Sequence, residues 1–137
     1  MNSVNAARPV ILIPAYQPDE TLYQLVLTLK ARGPHYPVLV VDDGSTDGSP
    51  ELVDRPVRLL STGGRKGAGA ARNIGAKQAV GEVLFFTDSD VVAPPEWIEK
   101  ALQIREDKQV ACGGGGYAGP VQEIFIQQFA HEELVWR

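Results

Sequence analysis

Two carboxylates lie close together directly after an apolar segment of the chain. The segment 83–87 reads Val-Leu-Phe-Phe-Thr, and Asp88, Ser89 and Asp90 follow it. Side chains two residues apart in an extended chain point to the same side, so we expect Asp88 and Asp90 to face one point beyond the end of a strand. Paired carboxylates repel unless a proton or a cation lies between them. Mg²⁺ and Mn²⁺ bind such oxygens and bridge them to substrate phosphates. The triplet therefore predicts a metal site for a phosphorylated ligand, although solvated surface Asp pairs are also common.

The elements that must position these carboxylates are strands that alternate with helices. Apolar runs predict strands at 10–13, 38–41, 57–60 and 83–87, with a fifth beginning at 110–112. Helical patterns cover 21–32, 68–80, 95–105 and 121–136. This alternation predicts an α/β protein, a Rossmann-like three-layer α/β/α fold with a mostly parallel sheet. No linker or repeat divides the chain, so we expect flexible residues 1–8 and then a single domain over 9–137.

Polar sequences follow three of the predicted strands. They are Pro14-Ala15-Tyr16, the segment 42–45 (Asp-Asp-Gly-Ser) and the segment 88–90. In parallel sheets the ligand lies beyond the carboxyl ends of the strands, where these segments would meet. A carboxylate in 42–45 can accept hydrogen bonds from a ribose or a base, or it can form a turn. We predict that Asp43 binds the ligand and that its neighbour is structural.

A glycine-rich segment, 63–69, leads into the second predicted helix. Backbone amides at a helix start can hold an anion, and Arg72 or Lys66 could neutralise a diphosphate. Arg72 is the more constrained of the two because it lies within the helix, whereas a solvated loop is the better interpretation for Arg65 and Lys66. The sequence lacks a P-loop and has no G-x-G-x-x-G after the first strand, which argues against a dehydrogenase. Tyr16 is as consistent with ordinary packing as with a place beside a base.

Composition excludes several classes of protein. The chain has 137 residues, 44% of them hydrophobic, and a net charge of -4. An acidic chain is not expected to bind nucleic acid or membrane surfaces in general. The single Cys112 cannot form an intrachain disulfide, which suits a cytoplasmic location, and its side chain is expected to be buried. No apolar run in these residues is long enough to cross a membrane.

Four motifs in this order resemble the family-two glycosyltransferases of the GT-A fold. They are Val-Ile-Leu-Ile-Pro-Ala-Tyr (10–16), Val-Val-Asp-Asp-Gly-Ser-Thr-Asp (40–47), Gly-Ala-Ala-Arg-Asn-Ile-Gly (69–75) and Phe-Thr-Asp-Ser-Asp-Val (86–91). The resemblance covers residues 9 to about 105 and implies transfer of a sugar, with inversion, from a nucleotide-diphosphate sugar, commonly a UDP-sugar. It also implies a divalent cation, Mg²⁺ or Mn²⁺. The positions that match the family's donor site are Pro14, Ala15 and Tyr16 beside the base, Asp43 on the uridine, Arg72 near the phosphates, and Asp88 and Asp90 at the metal and donor sugar.

The resemblance leaves the catalytic base and the acceptor open. Inverting members take their general base from a later, acceptor-binding half, so we expect that carboxylate beyond Arg137 and expect this chain to be part of a longer protein. The acceptor could be a lipid, a polysaccharide or a protein, and further segments could hold the protein at the inner face of the membrane. A non-catalytic nucleotide-sugar-binding or regulatory domain is an alternative. A sugar-phosphate nucleotidylyltransferase is another, but it would need a basic, glycine-rich signature where 14–17 reads Pro-Ala-Tyr-Gln.

Overall fold

The computed structural model of the chain describes residues 8–31, 36–49, 57–94, 96–105 and 112–113. Within these residues, the order is strand, helix, two strands, helix, strand, helix, as the sequence predicts. The strands are β1 (Pro9–Ala15), β2 (Val38–Asp42), β3 (Arg58–Ser61) and β4 (Val83–Phe86). The helices are α1 (Glu20–Ala31), α2 (Ala68–Gln78) and α3 (Trp97–Arg105).

The four strands form one parallel sheet in the order β3-β2-β1-β4. β1 lies in the middle of the sheet and all seven of its residues are buried, which explains its uninterrupted apolar sequence. Ile13 pairs with Val40 of β2, and Ile11 pairs with Phe85 of β4. The predicted parallel α/β sheet is confirmed.

The end of β4 differs from the prediction. The strand stops at Phe86, and Ser89 and Asp90 already belong to a turn. The period-two argument for Asp88 and Asp90 is therefore wrong, because it assumed an extended chain through both residues. Their common orientation has to come from the turn that follows the strand.

Helix α2 packs on the sheet over β1 and β2. Its contact face is made of small residues, since Ala71 and Gly75 are buried. Leu12, Val41 and Ala71 form a fully buried cluster at this contact. A Cβ atom placed on Gly75 would lie only 2.4 Å from Leu12 Cδ1, so the helix approaches the sheet as closely as it does because this residue is glycine.

Helix α1 buries a stripe of four residues at helical spacing and exposes the opposite side. The buried residues are Leu22, Leu25, Val26 and Leu29. Asp19 caps the helix, because its Oδ1 accepts a hydrogen bond from the Thr21 amide at 2.8 Å. The crossovers β1-α1-β2 and β3-α2-β4 run in opposite directions along the sheet. Since such crossovers are right-handed, α1 and α2 cover opposite faces and complete a three-layer fold.

Contacts divide the chain into two compact units, Met1–Pro95 and Glu96–Arg137. The first contains the whole sheet, and within the described part of the second α3 buries Ile98. Cys112 is exposed, so its expected burial is wrong. The predicted fifth strand lies almost wholly outside the described residues, and the helix over 121–136 lies entirely outside them. No helix in the described part of the chain is long and apolar enough to span a bilayer. The single domain over 9–137 stays a prediction.

Candidate functional site

The carboxyl ends of three strands and the start of α2 surround one open pocket of about 460 Å³. The pocket lies where the strand order reverses, between β1 and β4, which is the usual ligand position in an open parallel sheet. Its lining comes from the β1–α1 connection, the end of β2, the first turns of α2 and the turn after β4. The lining residues are Pro14, Ala15, Tyr16, Gln17, Pro18, Asp19, Asp43, Ala68, Arg72, Asp88, Ser89 and Asp90.

All seven residues that the sequence selected lie in this lining. They come from positions up to 76 residues apart in the chain, between Pro14 and Asp90, and the parallel sheet brings them together. The ends of β1 and β2 are joined directly, because the Asp43 amide donates to the Ala15 carbonyl at 2.8 Å. The structure thus confirms that these segments meet at one edge of the sheet, while the role of each side chain stays a prediction.

Asp43 is buried, with 4% of its surface exposed, and its carboxylate fixes the glycine-rich loop. Its Oδ1 accepts hydrogen bonds from the Lys66 amide at 2.7 Å and from the Thr62 hydroxyl at 2.9 Å. Its Oδ2 accepts one from the Gly67 amide at 2.7 Å. Each carboxylate oxygen has two acceptor positions, so Oδ2 retains one for a ligand.

These contacts favour the ionised form of Asp43. The Lys66 amide is the largest influence that lowers the pKa of this carboxyl below its ordinary value, and burial opposes it. The Gly67 amide, the Thr62 hydroxyl and the positive charge of Arg65 lower the pKa further. Hydrogen bonds to a carboxylate stabilise its charged form, so Asp43 carries a negative charge at neutral pH.

The neighbouring Asp42 serves the turn. Its Oδ1 accepts a hydrogen bond from the Ser45 amide, three residues further on, at 3.0 Å, a local side-chain to backbone contact that stabilises the turn. Ser45 in turn contacts the β1–α1 connection, because the Gln17 amide donates to its hydroxyl oxygen at 2.8 Å. The Gln17 side chain donates to the Thr46 hydroxyl at 3.0 Å. These bonds hold Gln17 at a φ of 42°, an uncommon conformation for a residue with a side chain.

Sequence reasoning missed three side chains that hold this site together: Gln17, which lines the pocket, and Thr62 and Arg65, which contact lining residues. Thr62 follows β3 directly and is buried at the same sheet edge as the other polar segments, a position that could have identified it. Its hydroxyl lies within hydrogen-bonding reach of both Asp43 and the Gly64 carbonyl. Nothing in the sequence pattern indicated the contacts of Gln17 or Arg65, because they join loops that are distant in the chain.

Arg72 and Asp88 form an ion pair on the opposite side of the lining. Arg72 Nη2 donates to Asp88 Oδ1 at 2.6 Å. The two side chains are 37% and 46% exposed, so the pair is open to the pocket and to solvent. A guanidinium has five N–H donors, so Arg72 can contact Asp88 and still donate to an anion in the pocket.

The carboxylates of Asp88 and Asp90 suit a hard divalent cation. Both residues line the pocket and offer only oxygen ligands. Among the described residues, no group of three or more His, Cys, Asp or Glu side chains could hold a metal by itself. Mg²⁺ and similar ions in phosphate sites use one or two protein carboxylates and take the other ligands from water and substrate. The donor set therefore fits an ion that is bound together with a diphosphate.

Comparison with known proteins identifies the family. Residues 10–130 match the sequence model described as Glycosyl transferase family 2. The chain belongs to glycosyl transferase family 2. This assignment confirms the resemblance and decides against the dehydrogenase and nucleotidylyltransferase alternatives.

Two relatives named as glycosyltransferases illustrate the range of similarity. An uncharacterised glycosyltransferase of Haemophilus influenzae is 33% identical over an alignment of 115 residues, which covers 79% of this chain and 46% of that protein. The Escherichia coli protein WfgD, named a UDP-Glc:alpha-D-GlcNAc-diphosphoundecaprenol beta-1,3-glucosyltransferase, is 32% identical over 100 residues, covering 69% of this chain and 38% of WfgD. The chain thus spans less than half the length of either relative.

The fold agrees with that of a solved GT-A enzyme. Mannosyltransferase PcManGT from Pyrobaculum calidifontis, solved in complex with GDP-Man and Mn²⁺, superposes with a TM-score of 0.70 at 24% identity. The match covers 78% of this chain and 34% of the mannosyltransferase chain. At this identity the similarity shows the shared fold and places the sheet of this family-2 chain within the GT-A class.

Proposed function

We propose that this chain carries the donor site of a glycosyltransferase that uses a nucleotide-diphosphate sugar, a UDP-sugar, together with Mg²⁺ or Mn²⁺. The observation that carries the proposal is that one pocket is lined both by Arg72, Asp88 and Asp90 and by the segments that carry Tyr16 and Asp43. A nucleotide-diphosphate sugar needs an aromatic or backbone surface for its base and positively charged groups for its diphosphate. This lining offers the first directly, and it offers the second through Arg72 and a cation held by the two carboxylates. The names of WfgD and of PcManGT support a nucleotide sugar in this family.

The base and ribose would lie against Tyr16 and Asp43. Tyr16 is 37% exposed, so its ring has surface available for a base. Pro14 and Ala15 are buried, so they offer the pocket little more than backbone. The remaining acceptor position on Asp43 Oδ2 suits a base N–H or a ribose hydroxyl.

The diphosphate would lie between Arg72 and the two carboxylates of the β4 turn. Asp88 and Asp90 would hold the divalent cation, which when bound neutralises charge on the diphosphate and thereby favours its departure as a leaving group. Arg72 contributes a second positive charge through donors that its contact with Asp88 leaves available. Asp88 also orients the Arg72 guanidinium before any ligand arrives, so less order has to be gained on binding.

The proposed reaction is an in-line displacement at the sugar, the inverting outcome that the family resemblance implies. An acceptor hydroxyl oxygen forms the new bond to the anomeric carbon while the bond from that carbon to the diphosphate oxygen breaks, and the configuration inverts. The acceptor's proton passes to a general base, a role assigned to none of the described residues. The nucleoside diphosphate leaves with the bonding electron pair and is stabilised by Arg72. The acceptor and the cytoplasmic location stay predictions.

Donor binding with and without Mn²⁺ tests the proposal. Titration calorimetry with UDP should show tight binding by the wild type only when Mn²⁺ is present. Asp90→Ala should weaken that binding about ten- to a hundredfold, as expected for loss of a charged contact of 1.5–3 kcal/mol. Asp47→Ala is the matched control, because it removes the same charge from an exposed turn outside the pocket lining. Binding that is equally tight and independent of metal in wild type and Asp90→Ala would reject the metal role. A comparison of UDP with GDP tests the choice of base.

A further inference from the structure

Arg65 lies on the aromatic ring of Tyr16, although 49 positions separate the two residues. The guanidinium carbon is 4.1 Å from the ring centroid, well within the range of a cation–π contact. Arg65 Nη1 also donates to the Tyr16 hydroxyl oxygen at 3.3 Å. Tyr16 lines the pocket but Arg65 does not. Arg65 therefore contacts a residue of the pocket wall without lining the pocket itself.

The backbone that carries Arg65 is fixed on its C-terminal side. The amides of Lys66 and Gly67, the next two residues, donate to the buried carboxylate of Asp43 at 2.7 Å each. Thr62 anchors the N-terminal part of the same loop through its buried hydroxyl, which contacts Asp43 and the Gly64 carbonyl. Asp43 thus determines where the loop presents Arg65.

The turn after β2 lies in close backbone contact with the loop that carries Arg65. Gly44 has a φ of 83°, and a Cβ atom there would lie 3.0 Å from both the Arg65 nitrogen and the Gly64 carbonyl carbon. A residue with a side chain would be strained by the φ and would displace the loop. The Asp43–Gly44 pair therefore positions Arg65 against Tyr16 through two hydrogen bonds to the loop amides and one close backbone approach.

We propose that Arg65 is a positioning residue for the nucleobase of the donor, acting through Tyr16. The proposal rests on the proposed donor site. A cation held against the ring restricts Tyr16 to one orientation before the base arrives, so less conformational freedom is lost on binding. Arg65 suits this role better than Lys would, because a planar guanidinium stacks on a ring while also donating to its hydroxyl. The sequence favoured a solvated loop for Arg65; the residue is indeed exposed in a loop, but the sequence did not indicate its contacts with Tyr16.

A direct contact of Arg65 with the diphosphate is the competing explanation. Arg72 already lines the pocket and pairs with Asp88, one of the proposed metal ligands, whereas Arg65 is absent from the lining. The two explanations differ in the part of the donor that should sense the loss of Arg65. A positioning role acts on ligands that contain the base, and a phosphate contact acts on ligands that contain the diphosphate.

The test compares UDP, UMP and inorganic pyrophosphate, each with Mn²⁺, as ligands of the full chain in NMR titrations. Arg65→Ala should lower the affinities for UDP and UMP by a similar factor of about three to five, the size of an exposed cation–π contact. The affinity for pyrophosphate should not change. Arg65→Lys should restore part of the affinity for UMP. Lys77→Ala, which removes the same charge from the last turn of α2, should change none of the three affinities.

A double-mutant cycle with Tyr16 completes the test. In a Tyr16→Leu background, Arg65→Ala should not lower the affinity for UMP any further, because the ring through which Arg65 acts is absent. An unchanged UMP affinity in Arg65→Ala, or a loss that persists without Tyr16, would overturn the positioning role. Wild-type binding of UDP in the same titrations reports on the donor site separately, so the inference can fail while the proposed function stands.

Discussion

The carboxylate of Asp43 connects the end of β2 with the glycine-rich loop at the pocket. Asp43 follows β2 directly and lines the pocket, and its carboxylate accepts hydrogen bonds from the Thr62 hydroxyl and from the amides of Lys66 and Gly67. A neutral amide could not replace it, because one of its two heteroatoms would be an NH₂ group facing a backbone donor. The residue is thus needed for the shape of the loop whether or not it also contacts the ligand.

We expect Asp43→Asn to lower the unfolding temperature at neutral pH more than Asp47→Asn does. Both carboxylates accept hydrogen bonds from neighbouring groups and both have a lowered pKa, but Asp43 is buried and Asp47 is exposed. A pKa lowered by folding stabilises the native state above the unfolded value of about 3.9, and this contribution is lost as the pH falls through the folded value. The stability gap between wild type and Asp43→Asn should therefore narrow below about pH 4. Thermal unfolding followed by circular dichroism from neutral to acidic pH measures this gap, and a gap independent of pH would contradict the assignment.

At the scale of elements, the contact of α2 with the sheet determines where Arg72 lies. Gly75 faces Leu12 and Val41, and Ala71 is fully buried beside them. Small residues on this face let the helix lie close to β1 and β2. The same helix carries Arg72 one position after Ala71, so the depth of packing sets the distance from Arg72 to Asp88.

We expect Gly75→Ala to destabilise the fold by about 1–3 kcal/mol, the usual cost of overpacking a core. The new Cβ would lie 2.4 Å from Leu12 Cδ1 and 2.9 Å from Val41 Cγ2, and the better helix propensity of Ala offsets at most about 1 kcal/mol of this. Gly69→Ala in the same helix is the matched control, because no atom lies within 4 Å of its Cβ position. That variant should be as stable as the wild type or more so by up to about 1 kcal/mol. Urea unfolding of both variants measures the change in the free energy of unfolding. An equal change for the two substitutions would show that the close approach of Gly75 to the sheet has no energetic consequence.

The elements were predictable from the sequence, but the contacts between loops were not. Apolar runs and helical spacing predicted the four strands and three helices of the described residues to within a few positions, because burial on both faces of a parallel strand leaves a continuous signal. The grouping of the seven lining residues followed from the rule that strand ends meet at one edge. The stacking of Arg65 on Tyr16, the ion pair of Arg72 with Asp88 and the hydrogen bonds of Gln17 depend on tertiary geometry that no local pattern encodes.

At the scale of the whole molecule, no single helix or strand forms the pocket. Its lining comes from the connection after β1, the ends of β2 and β4, and the start of α2, and these segments are held together by the sheet. The chain as a whole has a net charge of -4, so a diphosphate is not attracted by its overall charge. Binding therefore depends on local cations, Arg72 and the proposed divalent ion, and on an intact sheet edge.

We expect UDP with Mn²⁺ to stabilise the folded chain, because only the folded sheet assembles these four segments into a site. A ligand that binds only the native state adds RT ln(1 + [L]/Kd), which is about 2.7 kcal/mol at about 100 times Kd. Thermal or urea unfolding should therefore shift with UDP concentration, and chelation of Mn²⁺ should remove most of the shift because Asp88 and Asp90 would then repel the diphosphate. Mn²⁺ alone should stabilise far less, since two carboxylates leave most of its coordination positions to water. If UDP shifts the unfolding transition equally with and without chelator, then the nucleotide binds without any metal ion held by the Asp88–Asp90 turn. The proposed division of the pocket into a nucleobase end and a metal end would then be wrong.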